Sequence, residues 1–457
     1  MSQKRSRRRS GKSPASKNPK VFQAGAATSN ITPALGAEIV GNWTRPKATH
    51  IHDQLHARCL ALDDGTNRVA LVVIDKLGVS AEDCEAAKKM IHKSTGLPAD
   101  RVLIAAIHTH SATQVFSHKR FLARRIADGV RCAINNLEPA RIGWGTTVAR
   151  EHVNNRRWLM KPSTKLVSPF GAIDKAKMNP PGGSPELLKP AGPVDPQICF
   201  LSVQSTGGRP IALLANYSLH YVGGVVKGDI SADYFAVFAD RIQQLLGADR
   251  LSPPFVGIMS NGTSGDINNV NFRKPRPRRE PYEQMRYVAH DVAQKVFDAH
   301  RKVKLHDWVP VGMVQRELPL AWRKPTAKQV ARARELKAGA EPLPERPHEE
   351  VYADRILWLQ KQPRTFPAVL QALRVGKVGI AAVPFEAFVE IGLELKKKSP
   401  FKPTFTMELA NGTFGYLPTP KHHKLGGYET WMGSSRAETN ASVKIAKNLL
   451  EMFGELK

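Results

Sequence analysis

Short continuous apolar runs, the pattern of strands buried on both faces, recur at 55–62, 69–74, 102–106, 198–203, 211–215, 255–259 and 378–383. Between and after them, longer segments read as helices: 80–96, 120–136, 233–246, 283–303, 326–338, 348–362, a stretch running to about 398, and a closing one from about 440 to 456. Ser80 is placed as an N-cap, with Glu82, Asp83 and Glu85 suited to the first turn that follows. Asp64-Gly65 turns the first two runs into a hairpin, and Gly207-Gly208 does the same for 198–203 and 211–215. Strand, helix and strand then alternate across 69–106. The pattern predicts an α/β fold, with a mixed β-sheet core covered by helices and the active site at the carboxyl ends of the strands.

Other stretches carry turn chemistry. Residues 21–41, with Thr32-Pro33 and several glycines, and 161–193, with Pro180-Pro181-Gly182-Gly183, read as loops. The charged helices at 326–338 and 348–362, joined through Leu343-Pro344-Glu345-Arg346-Pro347, read as a peripheral insertion at about 323–365 with a solvated outer face. No internal repeat is present.

Composition narrows the class. Hydrophobic residues at 42% and charged residues at 24% suit a globular chain, and no apolar stretch reaches the roughly 18 residues of a membrane span. Cys59, Cys84, Cys132 and Cys199 form no C-x-x-C pair and read as small buried hydrophobes. The net charge of +28 is uneven. Residues 1–20 hold Lys4, Arg5, Arg7, Arg8, Arg9, Lys12, Lys17 and Lys20 with no acid, so a disordered basic tail is expected there, ahead of a single domain over 21–457. No apolar h-region follows it, which makes cytoplasmic residence the default without excluding export. A second basic cluster, Arg273-Lys274-Pro275-Arg276-Pro277-Arg278-Arg279, could contact a polyanion or an acidic substrate; a solvated loop is the plain alternative.

The candidate chemistry sits at strand ends. Asp75, His108 with His110, His220, Asp266 and Glu386 each close a predicted core strand, where α/β sheets bind ligands. His108 and His110, in Ile107-His108-Thr109-His110-Ser111, are two apart on an extended chain and so can address one site. Each residue also has a plain structural role open to it: His220 as a satisfied core histidine, Glu386 as a helix cap, Asp266 as a turn residue. Together, two or three imidazoles and a carboxylate suit Zn²⁺, which in catalytic sites keeps three protein ligands and an open position for water.

These pieces stand in a known order. Ile51-His52-Asp53-Gln54-Leu55-His56-Ala57-Arg58, Ile74-Asp75, His108-Thr109-His110-Ser111, Asn155-Arg156, Val194-Asp195-Pro196, Asn216 with His220, Ile230-Ser231-Ala232-Asp233-Tyr234, Gly265-Asp266, Pro384-Phe385-Glu386, Gly415-Tyr416 and Gly427-Tyr428-Glu429 follow one another between about 21 and 440. In this the chain resembles the catalytic domain of the neutral/alkaline non-lysosomal ceramidase family. The resemblance implies zinc ligands at His108, His220, Glu386 and Tyr416, and substrate-facing catalytic residues at His110, Arg156 and Tyr428. It thereby divides the roles of the two histidines that spacing leaves equivalent. Two departures are visible. Asn268 stands where the family usually has a serine, and Ala112-Thr113 stands where it has Gly-Pro. The β-sandwich domain that follows in ceramidases is expected to be lacking.

The expected function is a zinc-dependent amidohydrolase in which metal-activated water cleaves an N-acyl amide, of a ceramide-like lipid in the first reading. A second reading keeps the metal and changes the substrate to another small amide or ester, such as a carbohydrate or cell-wall derivative. A third is a non-catalytic polyanion-binding protein that uses the basic tail and loop on nucleic acid or an anionic surface.

Overall fold

The computed structural model describes residues 20–114, 120–338 and 348–457. Residues 1–19, nearly all of the expected tail, and the connection at 343–347 lie outside the described residues.

Eight strands form the main sheet: β1 (Gln23–Asn30), β2 (His56–Asp63), β3 (Arg68–Ile74), β4 (Val102–Ala106), β5 (Glu138–Val148), β6 (Gln197–Ser205), β7 (Pro210–Tyr217) and β8 (Val256–Asn261). Their spatial order is β8-β7-β6-β5-β1-β2-β3-β4. The outermost pairs, β7 with β8 and β3 with β4, are parallel; the inner pairs are antiparallel. The sheet is therefore mixed, as the apolar runs predict. Helices α1 (Ala81–Thr95), α2 (Phe121–Asn135), α3 (Asp233–Leu245) and α4 (Glu283–His300) pair up against it. Ser80 caps α1 by accepting from the Asp83 amide, and Gly96 closes it in the left-handed conformation.

A second sheet, ordered β9-β10-β11-β12, comprises β9 (Val311–Ala321), β10 (Thr365–Val375), β11 (Val378–Ala382) and β12 (Thr404–Met407). The insertion supplies α5 (Ala327–Ala338) and α6 (His348–Lys361) between β9 and β10. Helix α7 (Val389–Lys398) follows β11, and α8 (Pro420–Leu425) and α9 (Ala441–Glu455) complete the chain. The segment after β12 joins the two sheets: the Glu408 amide donates to Asn261 on β8, and Asn411 donates to Ile104 on β4. The carboxyl ends of β4, β7, β8 and β11 thus meet.

Several strands lie where the sequence reads as loop or carries no strand pattern: β9, β10 and β12 of the second sheet, short strands such as Ala176–Met178 and Leu187–Pro190 within 161–193, and, in the main sheet, β1 and β5. β1 runs through Gln-Ala-Gly-Ala-Ala-Thr-Ser-Asn, whose small residues suit a helix lying directly on the sheet. A Cβ on Gly25 would stand 2.2 Å from the Ala133 carbonyl oxygen of α2. β5 likewise carries Gly143 and Gly145, pressed on Val303 and Phe200. Three of the four cysteines are buried as expected; Cys132 is exposed on α2. No helix among the described residues is long and apolar enough to cross a membrane.

Candidate metal centre

β4 ends at Ala106, so His108 and His110 are not on a strand and their convergence is not that of alternate strand positions. The chain turns instead. His108 takes φ 71°, a left-handed conformation uncommon for a non-glycine residue, held by its amide bonding the Lys76 carbonyl at 2.9 Å. The two imidazoles nonetheless meet, with Nε2 atoms 3.3 Å apart.

The tautomers follow from the partners. Nδ1–H of His108 donates to the Leu77 carbonyl at 2.8 Å, and that of His220 to the Ser264 carbonyl at 3.2 Å. Each ring therefore turns its Nε2 to the interior. Burial, together with the neighbouring charges, holds His220 and His110 well below the usual histidine range, so both are neutral. His108 Nε2 faces Glu386 Oε2 at 3.2 Å, and that buried oxygen has no hydrogen-bond partner among the described residues. Burial works to raise the Glu386 carboxyl, but His108 and Arg156 outweigh it and keep it below its ordinary value, as a carboxylate. The contact is stable with a proton on His108 Nε2, as an imidazolium–carboxylate pair, or with a metal ion in that proton's place.

The donor set fits Zn²⁺. Zinc–nitrogen bonds of about 2.0–2.1 Å place tetrahedral ligand atoms about 3.3 Å apart, close to the His108–His110 and His108–Glu386 separations. His108, His110 and His220 form a group whose ligand atoms all lie within 4.8 Å of one another. His110 thus joins the candidate ligands on distance alone. Its ring differs from the other two in being stacked on Tyr221 at 3.8 Å, with a buried Nδ1 that no described residue meets in hydrogen-bond geometry. Gly41, at φ 110°, lies against it; a Cβ there would be 2.7 Å from His110 Cγ.

Tyr416 and Glu386 are paired across a short parallel bridge, which sets both side chains at the centre. The Tyr416 hydroxyl bonds the Glu386 carboxylate and accepts from Arg156 Nη2 at 3.0 Å. Arg156 also reaches His220 Nε2 with Nη1 at 3.3 Å, and its Nε donates to Glu429 Oε1 at 3.0 Å. Glu429 accepts from Arg157 on its other oxygen at 2.5 Å, making a fully buried Arg–Glu–Arg triad behind the site. Tyr428 packs edge-on to Tyr416 at 5.7 Å. All seven residues expected at the site are therefore brought together.

Two of the strand-end carboxylates are not. Asp75 accepts from the His56 amide and pairs with Arg58. Asp266 accepts from the Val389 amide at the start of α7 and from Asn155, which places its side chain in the bracing of the loops. Asn268 bonds Asn179 and lines a second cavity beside His110. Glu408, absent from the expected set, accepts from Ser264 and Ala387 and steadies the loop that orients His220. It closes β12, so the strand-end rule would have found it had that strand been recognised.

No family model and no curated protein matches the sequence. Among solved structures, neutral ceramidase from Pseudomonas aeruginosa matches with a TM-score of 0.69 and 16% identity, over 96% of this chain and 75% of that one. A ceramidase complexed with C2 matches with a TM-score of 0.70, at the same identity and coverage. The chain has the fold of these ceramidases.

Proposed function

We propose that the protein is a zinc-dependent amidohydrolase cleaving an N-acyl amide bond, with a ceramide-like lipid as the reference substrate. The observation that carries this is the convergence of His108 Nε2, His220 Nε2 and Glu386 Oε2, with Nδ1 of both imidazoles held by backbone carbonyls. His108, His220, Glu386 and Tyr416 would hold the ion. A bound zinc supplies a water of lowered pKa and polarises the scissile carbonyl.

The chain's own residues do the rest. Arg156, fixed by Glu429 and Tyr416, presents permanent positive charge where an oxyanion would develop, and Tyr428 faces the same space. His110, which lines the same pocket beside His108, would carry the proton from the attacking water to the departing amine. A serine acyl-enzyme has no nucleophile at 268, where the residue is asparagine.

Metal analysis of the purified protein, with hydrolysis of a short fluorogenic N-acyl sphingosine, tests this reading. One equivalent of zinc and metal-dependent turnover are expected; a His108→Ala protein that keeps both would sink it. The second reading, another small amide or ester, is favoured by the polar wall of the pocket beside His108, where Arg45, Arg355 and Arg436 stand.

A further inference from the structure

The pocket into which Glu386, Tyr416 and Tyr428 face has a volume of about 570 Å³. Its far wall is built by two segments distant in sequence. Helix α6 of the insertion brings Arg355, and the loop after Trp431 brings Arg436. Gly433, at φ 98°, lets that loop press on α6: a Cβ there would stand 2.7 Å from Arg355 Cβ. The contact is fixed further by Tyr352, whose hydroxyl bonds Ser434 at 2.6 Å, and by His348 stacked at 4.0 Å on Trp43, itself edge-on to Tyr428. The inner face of the insertion is therefore part of the site.

The two guanidiniums are under-partnered. Arg355 donates to Ser434 Oγ at 3.3 Å and lies over the Tyr352 ring; Arg436 donates to the Gly433 carbonyl at 3.3 Å and lies over Trp358. Neither makes a salt bridge with a described carboxylate. Burial, and after it the Arg355 charge, lower Arg436 from its ordinary value, with Glu386 offsetting part of this. Two like charges held together in a concave wall, with donors to spare, form a receptor for a negative group. Long alkyl chains fit such a wall poorly, because covering a guanidinium with hydrocarbon strips its water without replacing the hydrogen bonds.

We propose, resting on the hydrolase reading above, that Arg355 and Arg436 bind an anionic group of the substrate, so that the natural amide carries a carboxylate or phosphate near its scissile bond. The anion would sit on the insertion wall and the amide carbonyl beside Tyr416 and Arg156.

Binding to metal-stripped full-length protein tests this apart from catalysis. Calorimetry with N-acetylalanine, its neutral amide and glycerol phosphate should show one or both anions binding about 10- to 100-fold more tightly than the neutral amide. Which anion binds assigns carboxylate or phosphate. Arg355→Gln, which gives up one hydrogen bond to Ser434, should remove most of that preference, while Arg436→Lys keeps part of it. Equal binding of the neutral and anionic probes, or a preference unchanged in Arg355→Gln, overturns the proposal. If the anions bind as expected but the zinc-loaded protein hydrolyses no amide, the hydrolase reading fails and the anion site stands.

Discussion

Two groups of metal-capable side chains occur among the described residues, His108 with His110 and His220, and Glu151 with His152 and Asp291. Both bring their ligand atoms within 4.8 Å of one another, but they differ in residue type and in electrostatics. In the second, the Lys295 ammonium bonds Asp291 at 2.5 Å and also reaches Glu151, while His152 donates to Asp291 at 2.7 Å. The positive charge such a group requires is already provided by the chain. In the first, Nδ1 of His108 and of His220 each meet a backbone carbonyl, the Nε2 atoms of His108 and His110 face one another, and Arg156 reaches His220 Nε2 from the side. Proximity of ligating atoms is common to both; carboxylates already bonded to a lysine belong to the second alone. That difference, and not the count of histidines, makes the first the candidate metal site.

The comparison breaks most plainly at the ligands. His108→Ala or His220→Ala should lower zinc affinity by more than about 100-fold, beyond the 10- to 100-fold usual for outer-shell changes, and abolish hydrolysis. Inductively coupled plasma analysis of dialysed protein reads this directly. Retention of a full equivalent of zinc in either variant would show that these imidazoles do not hold it.

Much of the fold behind this site is legible in the sequence because burial and capping leave local marks. The apolar runs that became β2, β3, β4 and β7, and the Ser80 cap of α1, are of this kind. β1 and β5 are not, since tight packing under helices selects glycine and alanine, which also mark loops. The strand-end rule found His108, His220 and Glu386, but it also offered Asp75 and Asp266, which turned out to brace Arg58 and α7. Periodicity could not separate them, because a carboxylate's partner is a matter of tertiary structure. Arg156, Tyr416 and Tyr428 came from resemblance alone. Arg355 lies on a helix whose charged pattern predicts a solvated face, and no local signal shows that its inner side meets the Gly433 loop.

Arg156 sharpens the contrast by separating charge that serves chemistry from charge that serves binding of the ion. It touches Tyr416, His220 and Glu429 but carries no lone pair for a metal. Arg156→Ala should reduce kcat by about 100- to 1000-fold, the usual loss for one oxyanion donor, with zinc content unchanged. Steady-state kinetics on zinc-loaded protein gives the number. A kcat within a few-fold of the parent would remove Arg156 from the oxyanion role. Because the change also leaves Glu429 with Arg157 as its one guanidinium partner, thermal unfolding must be measured alongside, and a fall in Tm is expected with the fall in kcat.

Ser264 tests how firmly the His220 tautomer is set. Its carbonyl takes the Nδ1 proton at 3.2 Å, and its hydroxyl lies 3.3 Å from the same nitrogen while donating to Glu408 at 2.6 Å. Ser264→Ala keeps the carbonyl and removes the hydroxyl. The expected result is a loss of about 10-fold in zinc affinity, at the low end for an outer-shell change, measured by competition with a chromophoric chelator. A loss as large as that of His220→Ala would mean the hydroxyl, and not the carbonyl, orients the ring.

Lys295 gives the smallest effect and the most direct check of the contrast. Its pairs with Glu151 and Asp291 are partly exposed, with side-chain accessibilities of 27% for Lys295, 46% for Glu151 and 30% for Asp291. Solvent screening limits such pairs to about 0–1 kcal/mol. Burial opposes the stabilisation of the ammonium, but the two carboxylates prevail and raise Lys295 above its ordinary value. A raised folded-state lysine pKa contributes stability that is present at neutral pH and is lost only as pH climbs through that raised value. Lys295→Ala should therefore lower stability by about 1 kcal/mol or less at pH 7, with the difference from the parent shrinking above pH 10.5. Zinc bound at His108 and His220, and the rate of hydrolysis, should not change, because the ammonium belongs to the other group. If Lys295→Ala instead costs the protein its zinc, the two groups are not independent, and the chain-supplied charge on one side is coupled to the metal on the other.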